Sequence, residues 1–594
     1  MSLRRLVNSK FLLAVPLLLL FVVAVACGGA SELAAPAGQE AKNAPGGAAG
    51  QKVAVPVATA APAAAASGSQ GAGQKVTVLI VDVQNKIMWS RLDDGPDLKF
   101  LRLIQDDLIA GGGGSIVKPG LIKEWEMSAD SKTWILTHGD NIKFHNGDTL
   151  DADDIHYSLS LTLGDEALRQ LELTCLEPRN TASVKRTESL EMGPGPNQVT
   201  FVSNIPAPEF AFLRSQNNQG IGALVQNEDH VRSIINTDES PCFEAYEKAP
   251  MGTGPFKYVN HVVGQKYQFE RFDDYFYTPE NGYDEDRRAK FEFLDLVVVL
   301  EGATRAAALA AGDADLIEAN INMLDQINNI PGSQIVWQNE SSHTWFNHVD
   351  CWKPDMWCYS KEARQATEYA VDYKSIVENL YGSGATLKGW TWVTENAMGY
   401  SPELDGRPYD PEKAKQLWAQ AGLGDGLEFT IHTWDAGDLP FLPQVAELVA
   451  SAWKENLGIN ATVEVGDQQS IKAAWNNRQY GGDVLIRTNE ARYDGTSLVR
   501  GGYTNPDIAW RPISDPRIEP WKTIAAPVHL ALNDLNPDTR PQSFNKAYIY
   551  LRELNYTWGP FSSNVPWGVG PRIKTYQPWT LVPYFTAVWT IELN

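Results

Sequence analysis

The sequence predicts a two-lobed α/β protein with a hinge between its lobes, and three observations carry this. The chain has 594 residues, more than a single hydrophobic core organises. Strand-length runs of β-branched and aromatic residues alternate with stretches of helical spacing that end at glycine. Residues 427–465 read as one strand–helix–strand unit: Leu427–His432, a helix through Val445–Asn456, then Ile459–Val465. Such a unit implies a parallel pair with a right-handed crossover.

From the N-terminus, Arg4, Arg5 and Lys10 precede an apolar run from Phe11 to Val25. The run is too short for a stable membrane span and reads as an export signal. Ala24-Val25-Ala26-Cys27-Gly28 resembles a bacterial lipobox. Residues 1–26 are then a lipoprotein signal peptide, and Cys27 is the lipid-bearing residue. Residues 27–74 are rich in Ala, Gly and Pro and bury too little apolar surface to order. They form a disordered tether reaching on the order of 40 Å. With Cys27 set aside, Cys175, Cys242, Cys351 and Cys358 remain, an even number in an exported chain. Three pairings are possible; the favoured ones are Cys351–Cys358, closing a short loop, and Cys175–Cys242.

The folded body opens with a strand at Lys75–Val81, a polar loop over 82–97 that holds Trp89, and helical spacing over 98–110. Thr133–Thr137 reads as a strand, His138–Asn141 as a turn, and Ile142–His145 as a half-buried strand ending at the turn dipeptide Asn146-Gly147. Asp151 is placed to cap a helix whose first turn carries Asp153 and Asp154, at the positive end of its dipole. Gly252-Thr253-Gly254-Pro255 lacks the lysine and the helix of a phosphate-binding loop, and Pro255 leads into a strand. Leu294–Leu300 is a strand, and Arg305–Ala311 a helix stopped by Gly312. A second helix is framed by Pro411 in its first turn and Gly422 after its last.

Charge and motifs exclude several functions. Seventy-three acidic against 50 basic residues give a formal charge of −23, which repels nucleic acid. No Gly-x-Ser-x-Gly, His-Glu-x-x-His or Cys-x-x-Cys occurs. His138 and His145 lie on adjacent strand segments, the one place where a metal could be imagined.

Lys118–Leu159 resembles the signature of extracellular solute-binding proteins of family 5, the peptide, nickel and oligosaccharide receptors of ABC importers. Pro119, Leu121, Trp125, Asp130, Trp134, Gly139, Ile142, Phe144, His145, Gly147, Ala152, Asp154 and Ile155 fall on the pattern. Thr137-His138 and Asp151 depart from it, at surface-type positions. Further stretches are similar: Gly252–Tyr258, Arg305–Asp315, Thr344–Asn347, Lys361–Tyr373 and Tyr409–Gly422.

The resemblance implies a periplasmic-binding-protein-like fold of class II type, with a large first lobe carrying an extra subdomain. Lobe I would cover 75–340, lobe II 341–548, and 549–594 would return to lobe I. It implies a monomer without cofactor, metal or catalysis. The protein would stand on the outer face of the cytoplasmic membrane and deliver a small solute to an ABC permease and its ATPase. The expected solute is an oligopeptide, with an oligosaccharide next and a nickel chelate third. A rival of another class, a secreted carbohydrate-active enzyme, would need two carboxylates at a set separation in the cleft.

The resemblance also points to site residues. Trp89 would border the cleft, and Trp345 and Asn347 lie on the crossing strand. In relatives that bind peptides, the segment matching 483–497 carries an aspartate that pairs with the ligand's amine. Here Ala491 stands in its place, so Glu490, one position off, is the candidate anchor, with Asp494 at the segment's second acidic position. Arg487 and Arg492 could instead receive a carboxylate. Trp390 and Trp392 are candidates for stacking on sugar rings.

Overall fold

The computed structural model describes residues 75–81, 98–112, 114–163, 186–217, 224–235, 246, 249–388, 390, 393, 395, 397–435, 439–490, 495–496, 499, 519–536, 538–579, 585 and 587–594, a few by backbone alone. Trp89, Trp392, Arg492, Asp494, Cys27, Cys175 and Cys242 lie outside the described residues. No helix among the described residues is long and apolar enough to cross a membrane.

One large mixed sheet runs through the body. On one side it is built from Phe256–Val262, Lys266–Arg271, Phe293–Val298, Lys75–Ile80 and Leu316–Glu318. On the other it is built from Val484–Glu490, Glu428–Thr433 and Asn460–Val465. Two long strands, Gln334–His348 and Phe561–Val569, pair antiparallel in the middle and join the two sides. The expected β-α-β unit is present: Glu428–Thr433 pairs parallel with Asn460–Val465, and the helix Leu442–Leu457 connects them.

The buried apolar residues divide along the same line. Apart from Phe212, one core draws only on Trp345 through Phe561. The other clusters draw on residues 76–327, and one of them adds Trp567 through Ile591. The helix Arg540–Leu554 contributes Phe544, Ala547, Tyr548 and Leu551 to the Trp345–Phe561 core. The chain therefore rejoins the first core along Phe561–Val569, later than the expected position 549, because the apolar face of that helix is buried on the second core. A separate four-stranded antiparallel sheet holds Ile122–Met127, Thr133–His138, Gln198–Ser203 and Thr187–Met192.

Two local expectations are corrected. Ile142–His145 is not a strand. Ile142 and Phe144 are buried as alternation requires, but their backbone partners lie within one tight turn, while His145 N–H donates to Gly252 O at 3.0 Å. Phe144 N–H donates to Asp148 O at 2.8 Å and Leu150 N–H to Ile142 O at 2.8 Å, leaving a single bridge between Lys143 and Thr149. The helix expected over 98–110 stops at Ile104. The Ile104 carbonyl accepts the Gly254 N–H at 2.8 Å in place of a helical donor. This approach needs glycine, since a Cβ at Gly252 or Gly254 would lie within 2.5 Å of Ile104 backbone atoms. The glycine-rich turn thus serves chain packing. Asp151 caps the helix Ala152–Leu163 by accepting the N–H groups of Asp153 and Asp154 at 3.0 and 3.1 Å.

Candidate functional site: the crossing strands

The strand Gln334–His348 changes neighbours along its length. Gln334–Gln338 pairs with Val565–Val569, the register breaks, and Ser342 and His343 pair with Ser563 and Ser562. From Ser342 onward the strand also pairs with Val484–Glu490. The short strand Ala385–Leu387 adds to the far side of Phe561–Val569. Two rows of four residues result. One reads Asn489, His343, Ser562, Thr386; the other Glu490, Ser342, Ser563, Ala385. Both rows lie where the two cores meet.

Because side chains alternate across a strand, His343, Trp345 and Asn347 share one face, and Thr344, Phe346 and His348 the other. The second face is a finished core. His348 Nδ1 meets Asn555 O at 3.1 Å and Nε2 meets Thr367 Oγ1 at 3.0 Å. Phe346 packs on Trp558 at 4.9 Å. Burial, with the charge of Arg364, holds the His348 imidazole down to about 3.

The first face is different. His343 is fully buried, and neither ring nitrogen has a hydrogen-bond partner. The same holds for both amide atoms of Asn347 and for Ser562 Oγ. Burial, with the charge of Lys388, holds His343 down to about 3, so it is neutral near pH 7. A buried polar group without a partner costs about 1–3 kcal/mol. Proteins retain such groups where a ligand or ordered water completes them.

The sequence-predicted residues divide accordingly. Arg487 lies opposite Trp345 on the same face, and Glu490 opposite Ser342. Trp345 is fully buried beneath Arg487 and meets Trp475 edge-on at 5.9 Å. Trp390 is 1% exposed and packs on Tyr548 at 5.2 Å. Neither indole offers an open face to a sugar ring, because large apolar rings gain most from complete burial. Cys351 and Cys358 are joined by a disulfide, with Cα atoms 5.1 Å apart. His145 is also structural: Nε2 bonds Gly254 O at 2.9 Å, the ring meets Phe272, and burial lowers its pKa to about 4.

Sequence reasoning missed His343 and Ser562. The available signal was polarity inside apolar strands: Ser341-Ser342-His343 interrupts one, and Ser562-Ser563-Asn564 the other.

Two cores joined by a pair of long crossing strands, with unmet polar groups at the junction, define a binding protein of the two-lobed type. The chain belongs to the bacterial extracellular solute-binding proteins, family 5, whose middle region matches residues 117–495. Among characterised relatives, heme-binding protein A of Haemophilus influenzae is 27% identical over 353 residues, 57% of this chain and 60% of that protein. Di/tripeptide-binding protein 1 of Pseudomonas aeruginosa is 23% identical over 392 residues, 62% of this chain and 66% of that one. The matches thus span about 60–66% of these relatives' length. Among solved structures, HbpA2 of Haemophilus parasuis superposes with a TM-score of 0.72 at 19% identity, covering 88% of this chain and all of that one. DppA of Helicobacter pylori in complex with the peptide STSA gives 0.68 at 17%, covering 88% and 98%. The fold is therefore that of these binding proteins.

Proposed function

We propose that this protein captures a small solute, an oligopeptide, between its two cores and delivers it to an ABC permease and ATPase. The observation that carries the reading is the first face of the crossing strands, where His343, Asn347 and Ser562 are buried without hydrogen-bond partners. Small-molecule sites combine apolar walls with a few placed polar groups and favour domain junctions. The crossing strands are the hinge, and closure of the two lobes about them traps the solute. Peptides lead because several relatives are di/tripeptide- or dipeptide-binding proteins. Trp390, one of the two candidates for stacking on a sugar ring, is packed inside. Glu490 is the candidate anchor for the peptide amine, with Arg492 and Asp494 as further candidates from the same stretch of sequence. Lipid on Cys27 and the tether through residue 74 hold the monomer at the outer membrane surface, and the protein binds without catalysis.

The test is native mass spectrometry of the purified protein, followed by denaturation and identification of what is released, with calorimetry against di- and tripeptides. Short peptides released, with micromolar or tighter binding on add-back, are expected. A released sugar series, or hydrolysis of glycosides, overturns the reading.

A further inference from the structure

We propose that His432 and Glu464 form a site for a first-row divalent metal ion such as zinc. The site lies at the outer edge of the large sheet, two strands away from the crossing strand Gln334–His348.

The strand Asn460–Val465 is the last of the sheet on this side, and its Glu464 is the register partner of His432 on Glu428–Thr433. Paired residues of adjacent strands project to one face. His432 is 3% exposed. Its Nε2 lies 2.9 Å from Asp483 Oδ2, and Asp483 Oδ1 accepts the Thr430 N–H at 2.9 Å. An ionised carboxylate only accepts, so Nε2 carries the ring proton and Nδ1 of the neutral ring is a bare lone pair. Tyr480 stacks on the ring with centroids 3.6 Å apart and fixes its plane. Nδ1 is buried and has no hydrogen-bond partner, although Glu464 Oε2 stands 3.1 Å away.

A bare nitrogen lone pair and a carboxylate oxygen side by side repel one another, and a cation shared between them reverses the sign of the contact. The spacing suits zinc. Two ligands held at about 2.0–2.2 Å from one tetrahedral zinc ion lie about 3.2–3.5 Å apart. The second ring nitrogen on a carboxylate is the arrangement that orients metal-bound imidazoles and raises their basicity. An imidazole ligand favours zinc and its neighbours over magnesium and calcium, which take oxygen. Among the described residues no group of three or more His, Cys, Asp or Glu side chains is placed to hold one ion. Asp483 serves the far nitrogen, so the protein supplies two ligands and water the rest. Glu464 is 58% exposed, which opens the site to solvent, and the net charge of −23 draws cations to the surface.

The test uses the full chain, stripped with a chelator, and zinc chloride as the probe. Calorimetry reads the binding, and zinc-edge anomalous diffraction from soaked crystals locates the ion. An anomalous peak between His432 Nδ1 and Glu464 is expected. E464Q should weaken zinc binding by about tenfold or more, and melting curves in chelator establish that it folds. Excess magnesium should leave the zinc isotherm unchanged. A peak elsewhere, an affinity that E464Q does not alter, or displacement by magnesium overturns the site. Absence of zinc uptake also overturns it, and leaves His432 as an imidazolium shared by two carboxylates.

Discussion

Arg487 stands directly across the sheet from Trp345, and its guanidinium carbon lies 4.2 Å from the indole centroid. Trp475 flanks the same guanidinium at 5.1 Å and meets Trp345 edge-on. A planar, weakly hydrated cation between two indoles suits arginine and not lysine, whose ammonium is compact and strongly hydrated. Enclosed cation–π contacts are worth about 2 kcal/mol. R487A should therefore lose about 2–4 kcal/mol in urea unfolding, and R487K should recover less than half of it. Full recovery by lysine would show that charge, not stacking, holds the pair.

The disulfide between Cys351 and Cys358 closes a loop with a sequence separation of 7. That loop carries Trp352 and Trp357, and Trp357 stacks on Phe429 at 4.8 Å. Loop-closure entropy for so short a ring is worth about 2–3 kcal/mol. The double variant C351A/C358A should lose that amount and redden the tryptophan emission. Non-reducing peptide mapping should recover the two cysteines linked. Free thiols at these positions would overturn the pairing.

Glu368 sits in the second core with 2% of its side chain exposed, held by Arg552 at 2.5 Å and Arg407 at 2.8 Å. These partners offset burial and draw the carboxyl below its usual range. Arg552 is itself 5% exposed and also donates to Asn555 Oδ1 at 3.0 Å. Removing one member of such a network strands the others. E368Q should cost about 3–5 kcal/mol in denaturant unfolding, whereas E412Q, whose side chain is 77% exposed in its pair with Lys415, should cost under about 0.5 kcal/mol. Similar losses for the two would refute the assignment of Glu368 as a buried hub.

Most of the fold was legible because its elements are local. Asp410 caps its helix by accepting Lys413 N–H at 2.9 Å, with Pro411 in the first turn and Gly422 at φ 74°. These are short-range chemistries that sequence spacing records. The site was legible only in part. Asn347 could be placed on the crossing strand and Arg487 on the segment 483–497, but His343 becomes notable only once it is paired with Asn489 and Ser562. Pairing register depends on partners some 146 and 219 positions away, which alternation alone does not encode. Trp345 and Trp390 could be named from the sequence, yet they pack against neighbours supplied by Trp475 and Tyr548, and no local pattern announces those.

Acid and base should each weaken the fold through different groups. His145, at about 4, and His343 and His348, at about 3, are all lowered by burial. Their contribution is present above their unfolded value near 6.5 and is lost as pH falls toward 3 to 4. Asp106 works the other way. Burial pushes its carboxyl up to about 7, against hydrogen bonds from Thr253 Oγ1 at 2.8 Å and Tyr275 OH at 2.9 Å. The neighbouring Asp107 raises it further, and Arg287 lowers it. A raised acid stabilises below its unfolded value near 3.8, and that stability is lost as pH rises through about 7. The amide introduced by D106N would accept from one of the two hydroxyls and donate its N–H to the other, which can rotate to accept. D106N should therefore gain on the native protein from about pH 4 upward, the gain between pH 5 and pH 8 being about 1–2 kcal/mol, less than full enclosure would give, since Asp106 keeps some solvent contact. Urea melts of both proteins at pH 5, 6.5 and 8 decide it: a constant difference across the three would mean that Asp106 does not titrate in this window.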